Sequence, residues 1–324
     1  MEKIETAEGR TVVFDDTHFL TGDLCKLYPC TIAGPAVVAS DAGSTSEPGR
    51  KGSTWYDKIL EDDDDLDKAI EPLVSKPSEM LGANGLLKVA ANSADDDLVR
   101  SEGSILRDIF PIFAKEEKFQ RYIPRLWESF QYQGREANLF ARLDGYVTIE
   151  DILRVYPRGI DYQDAAWMFK RILAGIGFVH TQSIYHGAIL PPHILVHPMG
   201  HGAKIVDWCY SVRMRDRRSI PAYVPAWKAY YAPEIFAKRF PTTATDTFMA
   251  AKCMVALLGG DVETNQFPAD VPKPIQDILS QCLTEKPSDR PQDAWKMHEV
   301  FDTILGTLVG KPKYRPFAMP LIGP

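Results

Sequence analysis

Residues 186–196 read HGAILPPHILV, and the short segment DWC follows at residues 207–209. Two short runs, Ile-Leu-Val at residues 194–196 and Lys-Ile-Val at residues 204–206, flank the Gly- and Pro-containing turn HPMGHGA. Short apolar runs on either side of such a turn predict a β-hairpin. The hairpin would place Asp207 at its far end, directly after a strand.

The chain around this stretch is organised as strands first and helices later. Residues 164–180 carry the clearest helical pattern, with apolar side chains every three or four positions. These would form one buried stripe of Met168, Ile172, Ile176 and Val179. Further helices are predicted at residues 97–110, 245–258, 274–283 and 291–308, and strands within residues 11–38, 122–132 and 137–142. The order predicts an α+β fold with a sheet-rich lobe and a helical lobe.

Several residues, taken in this order, resemble the landmarks of a protein kinase domain. Lys88 lies in the apolar run LLKVA, and Glu102 follows fourteen residues later within a predicted helix. The resemblance implies a strand lysine that grips the α- and β-phosphates of ATP and a helix glutamate that holds its ammonium. Such a partner is needed because lysine is a point charge on a flexible stem.

The loop that begins at His186 resembles the kinase catalytic loop, whose pattern is His-Arg-Asp-x-Lys-Pro-x-Asn. His186 and Pro191 match this pattern, but three chemically important positions do not. Ala188 stands where the resemblance implies the Asp that accepts the substrate hydroxyl proton. Leu190 replaces the lysine that would neutralise the transferring phosphoryl group. His193 replaces the asparagine that would bind a second magnesium ion.

Two further segments resemble parts of a kinase nucleotide site. Asp207-Trp208-Cys209 resembles the Asp-Phe-Gly segment, so Asp207 would bind the magnesium ion that bridges the phosphates. Cys209 in place of the glycine removes easy access to positive φ at that position. Gly22 is the one glycine kept of the three in the phosphate-covering loop, and Asp23 beside it would repel phosphate.

Three other residues match structural positions of the kinase pattern. Glu234 closes the sequence Tyr-Ala-Pro-Glu, and the resemblance implies an ion pair between Glu234 and Arg290. Asp246, at the head of an apolar helix, would anchor the backbone of the catalytic loop. The resemblance therefore predicts a bilobal protein kinase-like fold, with an N-lobe at residues 1–143 and a C-lobe with a C-terminal tail at residues 144–324.

An insertion at about residues 34–85 interrupts the predicted N-lobe. It is rich in Gly, Ser and Pro and contains the acidic run EDDDDLD at residues 61–67. Such composition indicates a solvated surface excursion or a tether for a basic partner. A run of arginines follows Asp207, and it is either a solvated basic loop or a site for phosphate or an acidic segment. Its members are Arg213, Arg215, Arg217 and Arg218.

The bulk composition of the 324 residues narrows the class of protein. Its 45% hydrophobic and 25% charged residues are ordinary for a globular protein. The net charge of −7 gives no overall positive potential that would attract nucleic acid or an anionic membrane. No apolar stretch approaches the ~20 residues of a membrane span, and the charged start lacks a signal-peptide pattern. The five cysteines show no C-x-x-C spacing, so we expect reduced, mostly buried thiols. These features predict a cytoplasmic protein.

Three functional interpretations remain open. The first is a pseudokinase that binds Mg-ATP through Gly22, Lys88, Glu102 and Asp207 and acts through an unidentified protein partner. The second is an active transferase that moves AMP or has non-standard serine/threonine kinase activity. The third is a structural module without a nucleotide. None of the three interpretations involves haem, flavin or NAD as a cofactor.

Overall fold

A seven-stranded sheet, antiparallel throughout, dominates the N-terminal half. The structure is a computed structural model that describes residues 1–17, 20–34, 83–113, 117–310 and 314–320. The strands are β1 (Glu2–Glu5), β2 (Thr11–Phe14), β3 (Leu20–Thr21), β4 (Cys25–Ala33), β5 (Ala83–Ala90), β6 (Leu126–Tyr132) and β7 (Arg135–Ala141). Their spatial order is β1-β2-β4-β5-β7-β6, with β3 pairing to β4.

Alternating side chains give the sheet a buried core on one face. In β2, Val12 and Phe14 are buried, whereas Thr11 and Val13 are only half-buried. This alternation is the period of two expected for a strand with one buried face. The two buried residues pack with Tyr28, Ile32 and Leu139 in one hydrophobic cluster. Strand β1 was not predicted from the sequence, because its charged edge pattern carries almost no apolar signal.

Helix α1 (Asp96–Phe113) lies against strands β6 and β7. Asp96 and Asp97 occupy its first turn, where carboxylates favour the positive end of the helix dipole. Gly103 allows the helix to approach the sheet closely, because a Cβ atom there would collide with the Ser129 hydroxyl. Glu102 is thereby brought close to strand β5.

Six helices make up most of the C-terminal half. They are α2 (Ile149–Val155), α3 (Tyr162–Thr181), α4 (Pro233–Phe236), α5 (Thr243–Leu257), α6 (Lys273–Cys282) and α7 (Ala294–Val309). Thr148 caps α2 through a reciprocal pair of hydrogen bonds with Asp151. Helix α3 is buried on nearly all sides because it packs against α5, α7 and a strand of the hairpin described next, so the predicted single stripe was too narrow.

The hairpin predicted from residues 194–206 is confirmed. Strands β10 (Ile194–His197) and β11 (Gly202–Ile205) pair in antiparallel register, with Ile194 opposite Ile205. Short strands β8 (Val147–Thr148), β9 (Ile184–Tyr185) and β12 (Val212–Arg213) complete the half, β8 pairing to β10 and β9 to β12. Asp207 follows β11 by two residues.

The described residues form a mixed α+β fold consistent with the predicted bilobal, kinase-like architecture. A curled antiparallel sheet occupies the N-terminal half and helices occupy the C-terminal half. Residues 35–82, which include the acidic run 61–67, lie outside the described residues. The boundary between residues 143 and 144 stays a prediction.

All five cysteines lie within the described ranges, and each is a free, buried thiol, as predicted. Burial raises the pKa of Cys25, Cys30 and Cys282 to about 12 in each case. Within the described ranges, no helix combines the length and apolar character needed to cross a membrane.

Candidate functional site

Lys88 lies near the middle of strand β5 and reaches toward both halves of the molecule. Its side chain is 5% exposed, and its Nζ atom donates to Glu102 Oε1 at 3.0 Å and to Asp207 Oδ1 at 2.8 Å. A third contact, 3.2 Å long, joins Nζ to the Cys209 sulfur. Three residues singled out in the sequence therefore meet the lysine within hydrogen-bonding distance.

Glu102 is held by two donors besides the lysine. The Asn138 side-chain amide donates to Oε2 at 2.9 Å, and the Trp208 backbone N–H donates to Oε1 at 3.0 Å. Asn138 was missed in the sequence, where its only signal was an amide in the otherwise apolar end of strand β7. Because every bond uses a fixed backbone or a buried side chain, the carboxylate position is rigidly determined.

The Lys88–Asp207 pair is fully ionised in this environment. Burial alone would lower the pKa of Lys88, but the carboxylates of Asp207 and Glu102 outweigh it and raise that pKa well above its ordinary value. Burial would likewise raise the pKa of Asp207, and the Lys88 ammonium, with a smaller contribution from His193, holds it well below the usual range. The pair is therefore charged at neutral pH and forms a charge-assisted hydrogen bond.

The start of the catalytic-loop segment is fixed through its backbone. Asp246 accepts hydrogen bonds from the backbone N–H groups of His186 at 2.9 Å and Gly187 at 2.8 Å. The same carboxylate accepts from His180 Nε2 at 2.9 Å. The His186 ring is fully buried and lies 3.1 Å from the Val206 carbonyl, and burial lowers its pKa to about 4.

The loop positions at which the kinase pattern has Asp and Lys are apolar and closed to solvent here. Ala188 and Leu190 are both 0% exposed and belong to the main hydrophobic core. Two acids that could in chemical terms replace the absent Asp have other partners. Asp161 caps helix α3 through the Gln163 N–H, and Asp216 forms an ion pair within its own loop.

His193 meets two carboxylates that are far apart in the sequence. Its Nε2 atom lies 3.0 Å from Asp23 Oδ2 and 3.3 Å from Asp207 Oδ2. Its Nδ1 atom lies 2.9 Å from the Ala188 carbonyl oxygen. Burial lowers the pKa of His193, but Asp207 and Asp23 outweigh it and raise that pKa above its ordinary value.

Asp23 owes its position to the turn that contains Gly22. The Gly22 backbone N–H donates to the Cys25 carbonyl at 2.8 Å, which tightens the turn between β3 and β4. A Cβ atom at Gly22 would lie 2.9 Å from the Cys25 sulfur, so the site favours glycine. Sequence reasoning treated Asp23 as a charge facing phosphate, and the structure pairs it with His193.

The unusual backbone conformation of the Asp-Trp-Cys segment falls on its first residue. Asp207 has φ 62° and ψ 65°, in the left-handed region that Asp tolerates better than most residues. Cys209 lies in the following 3-10 turn, Trp208–Tyr210, so the cysteine itself is not forced to positive φ.

Glu234 and Arg290 form a buried, bidentate ion pair on the far side of the loop. The two guanidinium nitrogens donate to the two carboxylate oxygens at 2.8 and 3.0 Å. Thr245 donates a further bond to Glu234, and the Thr284 carbonyl accepts one from Arg290. The contact is structural, because both residues are buried among helices and their polar atoms have other protein partners.

Only part of the arginine run is available to bind an anion. Arg213 is bound to Asp108 and Ser104 of helix α1, whereas Arg215, Arg217 and Arg218 are exposed. The run therefore ties the loop after Asp207 to the helix that carries Glu102.

Searches against known proteins give partial matches to protein kinases. No family model matches the sequence. The chain is 34% identical over 88 residues to Cyclin-dependent kinase-like 2 of Rattus norvegicus, which is 27% of this chain and 17% of that protein. It is 28% identical over 138 residues to Cyclin-dependent kinase-like 2 of Oryctolagus cuniculus, covering 42% of this chain and 24% of that protein.

A third relative is Mitogen-activated protein kinase kinase kinase 8 of Rattus norvegicus. It is 23% identical over 151 residues, which is 40% of this chain and 32% of that protein. The chain thus spans less than a third of the length of each of these relatives. The partial similarity supports a place in the protein kinase-like superfamily, in agreement with the fold.

Proposed function

We propose that this protein is a kinase-fold pseudokinase that binds a nucleotide with a divalent ion and acts through a protein partner. One observation carries the proposal. The buried, hydrogen-bonded cluster of Lys88, Glu102 and Asp207 is complete, while Ala188 and Leu190 are apolar and closed to solvent. The residues for gripping phosphate are present without the residues for transferring it.

The lysine environment is suited to a phosphate group. Glu102 and Asp207 each accept one of its three N–H bonds, and the third faces the Cys209 sulfur. Burial raises the pKa of the Cys209 thiol well above its ordinary value, so the thiol is neutral and a weak acceptor. A phosphate oxygen would be a stronger partner for that third donor.

The donor set also fits a divalent ion. Asp207 and Asp23 present carboxylate oxygens, which are the ligands that magnesium prefers. An ion held there would neutralise the charge of bound phosphates. Asp23 would otherwise repel them, so the ion and the nucleotide are expected to bind together.

Ordinary phosphoryl transfer is expected to be weak. A positioned acid–base group typically contributes ~100- to 10,000-fold in rate. Phosphoryl transfer depends more on positioning and electrostatic stabilisation than on the base, so the loss of the acid at Ala188 lowers activity without abolishing it in principle. Leu190 removes the balancing cation as well.

A second candidate function follows from the same cluster. Lys88, Glu102 and Asp207 would also hold a nucleotide for AMP transfer or for non-standard serine/threonine kinase activity. A third candidate, a structural module without nucleotide, is favoured by the contact of Asp23 with His193, since that carboxylate lies where phosphate charge would come.

The five free, buried thiols suit a reducing compartment such as the cytoplasm.

Thermal melting with and without Mg-ATP tests nucleotide binding. A ligand at 100 times its dissociation constant adds ~2.7 kcal/mol of stability, so the parent melting temperature should rise. Lys88→Met and Asp207→Asn should lose this rise relative to their own ligand-free baselines. Lys273→Met, at a 75% exposed lysine, is the matched control and should keep it. No rise in the parent would favour the structural module.

Transfer is tested separately with ATP labelled on the α- or the γ-phosphate. We expect no label from the α-phosphate, and at most weak label from the γ-phosphate, on the protein or on added protein substrates. Label from the α-phosphate that disappears in Asp207→Asn would establish AMP transfer instead. Label from the γ-phosphate with the same dependence would establish kinase activity.

A further inference from the structure

A tail segment, residues 314–320, lies across the helical half of the molecule. Pro316 and Ala318 are exposed, whereas Phe317 between them is 4% exposed. Within the described ranges, no backbone–backbone hydrogen bond joins this segment to the rest of the chain. The tail segment is therefore held through alternate side chains, in the manner of a bound extended peptide.

Arg315 is the first anchor of the tail segment, and it meets two carboxylates at the start of helix α3. Its guanidinium donates to Asp161 Oδ1 and to Asp164 Oδ2, both at 3.1 Å. The Asp164 side chain is 10% exposed, and its buried Oδ1 atom accepts no hydrogen bond from the described residues. Burial raises the pKa of Asp164, and Arg315 opposes that rise. Two carboxylates thus face one cation, and one buried acceptor is left unused.

Phe317 is the second anchor, and its side chain belongs to the main hydrophobic core. Its ring centre lies 5.8 Å from that of Tyr156, at the end of helix α2. The Tyr156 hydroxyl donates to the Ala318 carbonyl oxygen. Buried aromatic rings supply much of the energy of protein interfaces, so this contact is expected to provide much of the affinity.

His201, on the turn between β10 and β11, fixes the backbone between the two anchors. Its Nε2 atom lies 2.8 Å from the Arg315 carbonyl oxygen. Burial lowers the pKa of His201 to about 4, so the ring is neutral near pH 7. Its Nε2 atom carries the hydrogen, because a carbonyl oxygen can only accept. The ring also stacks on Trp167, with ring centres 4.1 Å apart, which holds its orientation.

Four residues that bind the tail segment form the tail-binding surface: Tyr156, Asp161, Asp164 and His201. We propose that this surface is a docking site for an extended Arg-x-Phe segment of a protein partner, and that the tail segment occupies it in cis and competes with the partner. Charge complementarity selects a basic segment, and a further donor on the partner would satisfy the acceptor that Arg315 leaves unused.

The proposal rests on the proposed function in one respect, since both require a protein partner. It depends on none of the residues around Lys88. Docking and nucleotide binding can therefore fail separately, and the melting experiment with Mg-ATP leaves the tail-binding surface untested.

Competition by the tail segment sets the size of the expected effect. A segment of the same chain competes at an effective concentration on the order of 1 mM. For a free peptide with a dissociation constant of about 0.1 mM for the vacant surface, the docked tail segment raises the apparent dissociation constant about tenfold.

Fluorescence anisotropy of a labelled peptide with the sequence of residues 314–320, titrated with the full chain, tests docking. The variant Arg315→Met/Phe317→Ala removes both anchors of the tail segment and leaves the tail-binding surface intact. We expect the peptide to bind this double variant at least ~10-fold more tightly than the parent. Addition of Asp164→Asn to the double variant should weaken binding about tenfold, because the buried charge that pairs with the peptide arginine is lost.

Two controls keep the chemistry and change the sequence or the place. A peptide that itself carries Arg315→Met and Phe317→Ala should not bind. Asp277→Asn, at a 55% exposed carboxylate of helix α6, should leave binding to the double variant unchanged. Circular dichroism checks that each variant is folded. If the double variant is unfolded, Arg315→Met alone makes the same comparison with one anchor left, and at least ~3-fold tighter binding than the parent is expected.

Three outcomes contradict the proposal. Peptide binding to the folded tail variant that is no tighter than binding to the parent would show that the tail segment covers no docking site. Unchanged binding after Asp164→Asn would place the peptide elsewhere. A parent that is dimeric while the double variant is monomeric would show that the surface holds the tail segment of a second copy, and this too would overturn docking of a partner.

Discussion

The two ends of the loop that begins at His186 are built in different ways. At its start, Asp246 accepts the backbone N–H groups of His186 and Gly187, and the Glu234–Arg290 pair braces the surrounding helices. Further along, Ala188 and Leu190 are ordinary core residues. The start depends on backbone N–H groups, which every residue type except proline provides. The chemistry of the later positions depends on side chains alone.

The difference explains why apolar residues at positions 188 and 190 are compatible with this fold. They leave the backbone hydrogen bonds at the start of the loop in place and add buried hydrocarbon. Removing a brace would instead leave buried charge or buried N–H groups without partners. We therefore expect large losses of stability when a brace is removed. Two substitutions test this, and a third measurement tests the burial of the His186 ring.

Arg290→Met should have the largest effect. It leaves Glu234 charged and buried, and breaking a buried pair in this way typically costs ~3–5 kcal/mol. Urea unfolding measures the loss directly. Arg215→Met, at an arginine that is 77% exposed, is the control and should change stability by no more than ~0.5 kcal/mol. A loss below ~1 kcal/mol for Arg290→Met would show that the pair is not a brace.

Asp246→Asn should have the next largest effect. An asparagine keeps the shape but offers one acceptor oxygen, so its amide must face one of three donors now satisfied by the carboxylate. An unsatisfied buried group costs ~1–3 kcal/mol. The same unfolding experiment on Asp289→Asn, at an exposed carboxylate, should give almost no change. Equal stabilities for the two variants would contradict the anchoring role.

The third and smallest expected effect is a dependence on pH at His186. The folded ring has a pKa of about 4, below the ordinary value of 6.5, because burial disfavours its charged form. As the pH falls from 6.5 toward 4, His186 becomes protonated in the unfolded chain but stays neutral in the folded chain. The stability of the folded state is therefore greatest above pH 6.5 and falls progressively toward pH 4. Between pH 7 and pH 5 the contribution is ~2 kcal/mol.

The measurement is the unfolding free energy of the parent and of His186→Asn across that range. The variant loses packing at every pH, so only the slope of the unfolding free energy against pH is compared between the two proteins. His193, which interacts electrostatically with His186, contributes with the opposite sign in both proteins. The two slopes should differ most between pH 4 and 6.5, the folded and unfolded values for His186, and converge as the pH rises above that range. Parallel slopes throughout would mean that the ring is not held neutral.

Sequence patterns predicted much of the fold because much of it is local. The turn between β10 and β11 and the helical period of residues 164–180 each depend on neighbours within a few positions. Strand β1 escaped prediction because its side chains alternate between exposed and half-buried, with little apolar signal. The burial of α3 on nearly all sides depends on helices as distant as α7, whose Asp302 binds Lys170 of α3 across 132 positions of sequence.

The candidate site shows the same division. The order of residues indicated Lys88, Glu102 and Asp207 together with the altered loop at Ala188, Leu190 and His193, because residue types at fixed spacings carry that information. Only the tertiary structure decided that Asp23 meets His193, since their contact joins residues 170 positions apart and no local pattern encodes it. The sequence determined which groups are available, and packing determined which of them share one space. The physical reason is that side-chain chemistry is local, whereas burial and charge pairing depend on the whole folded chain.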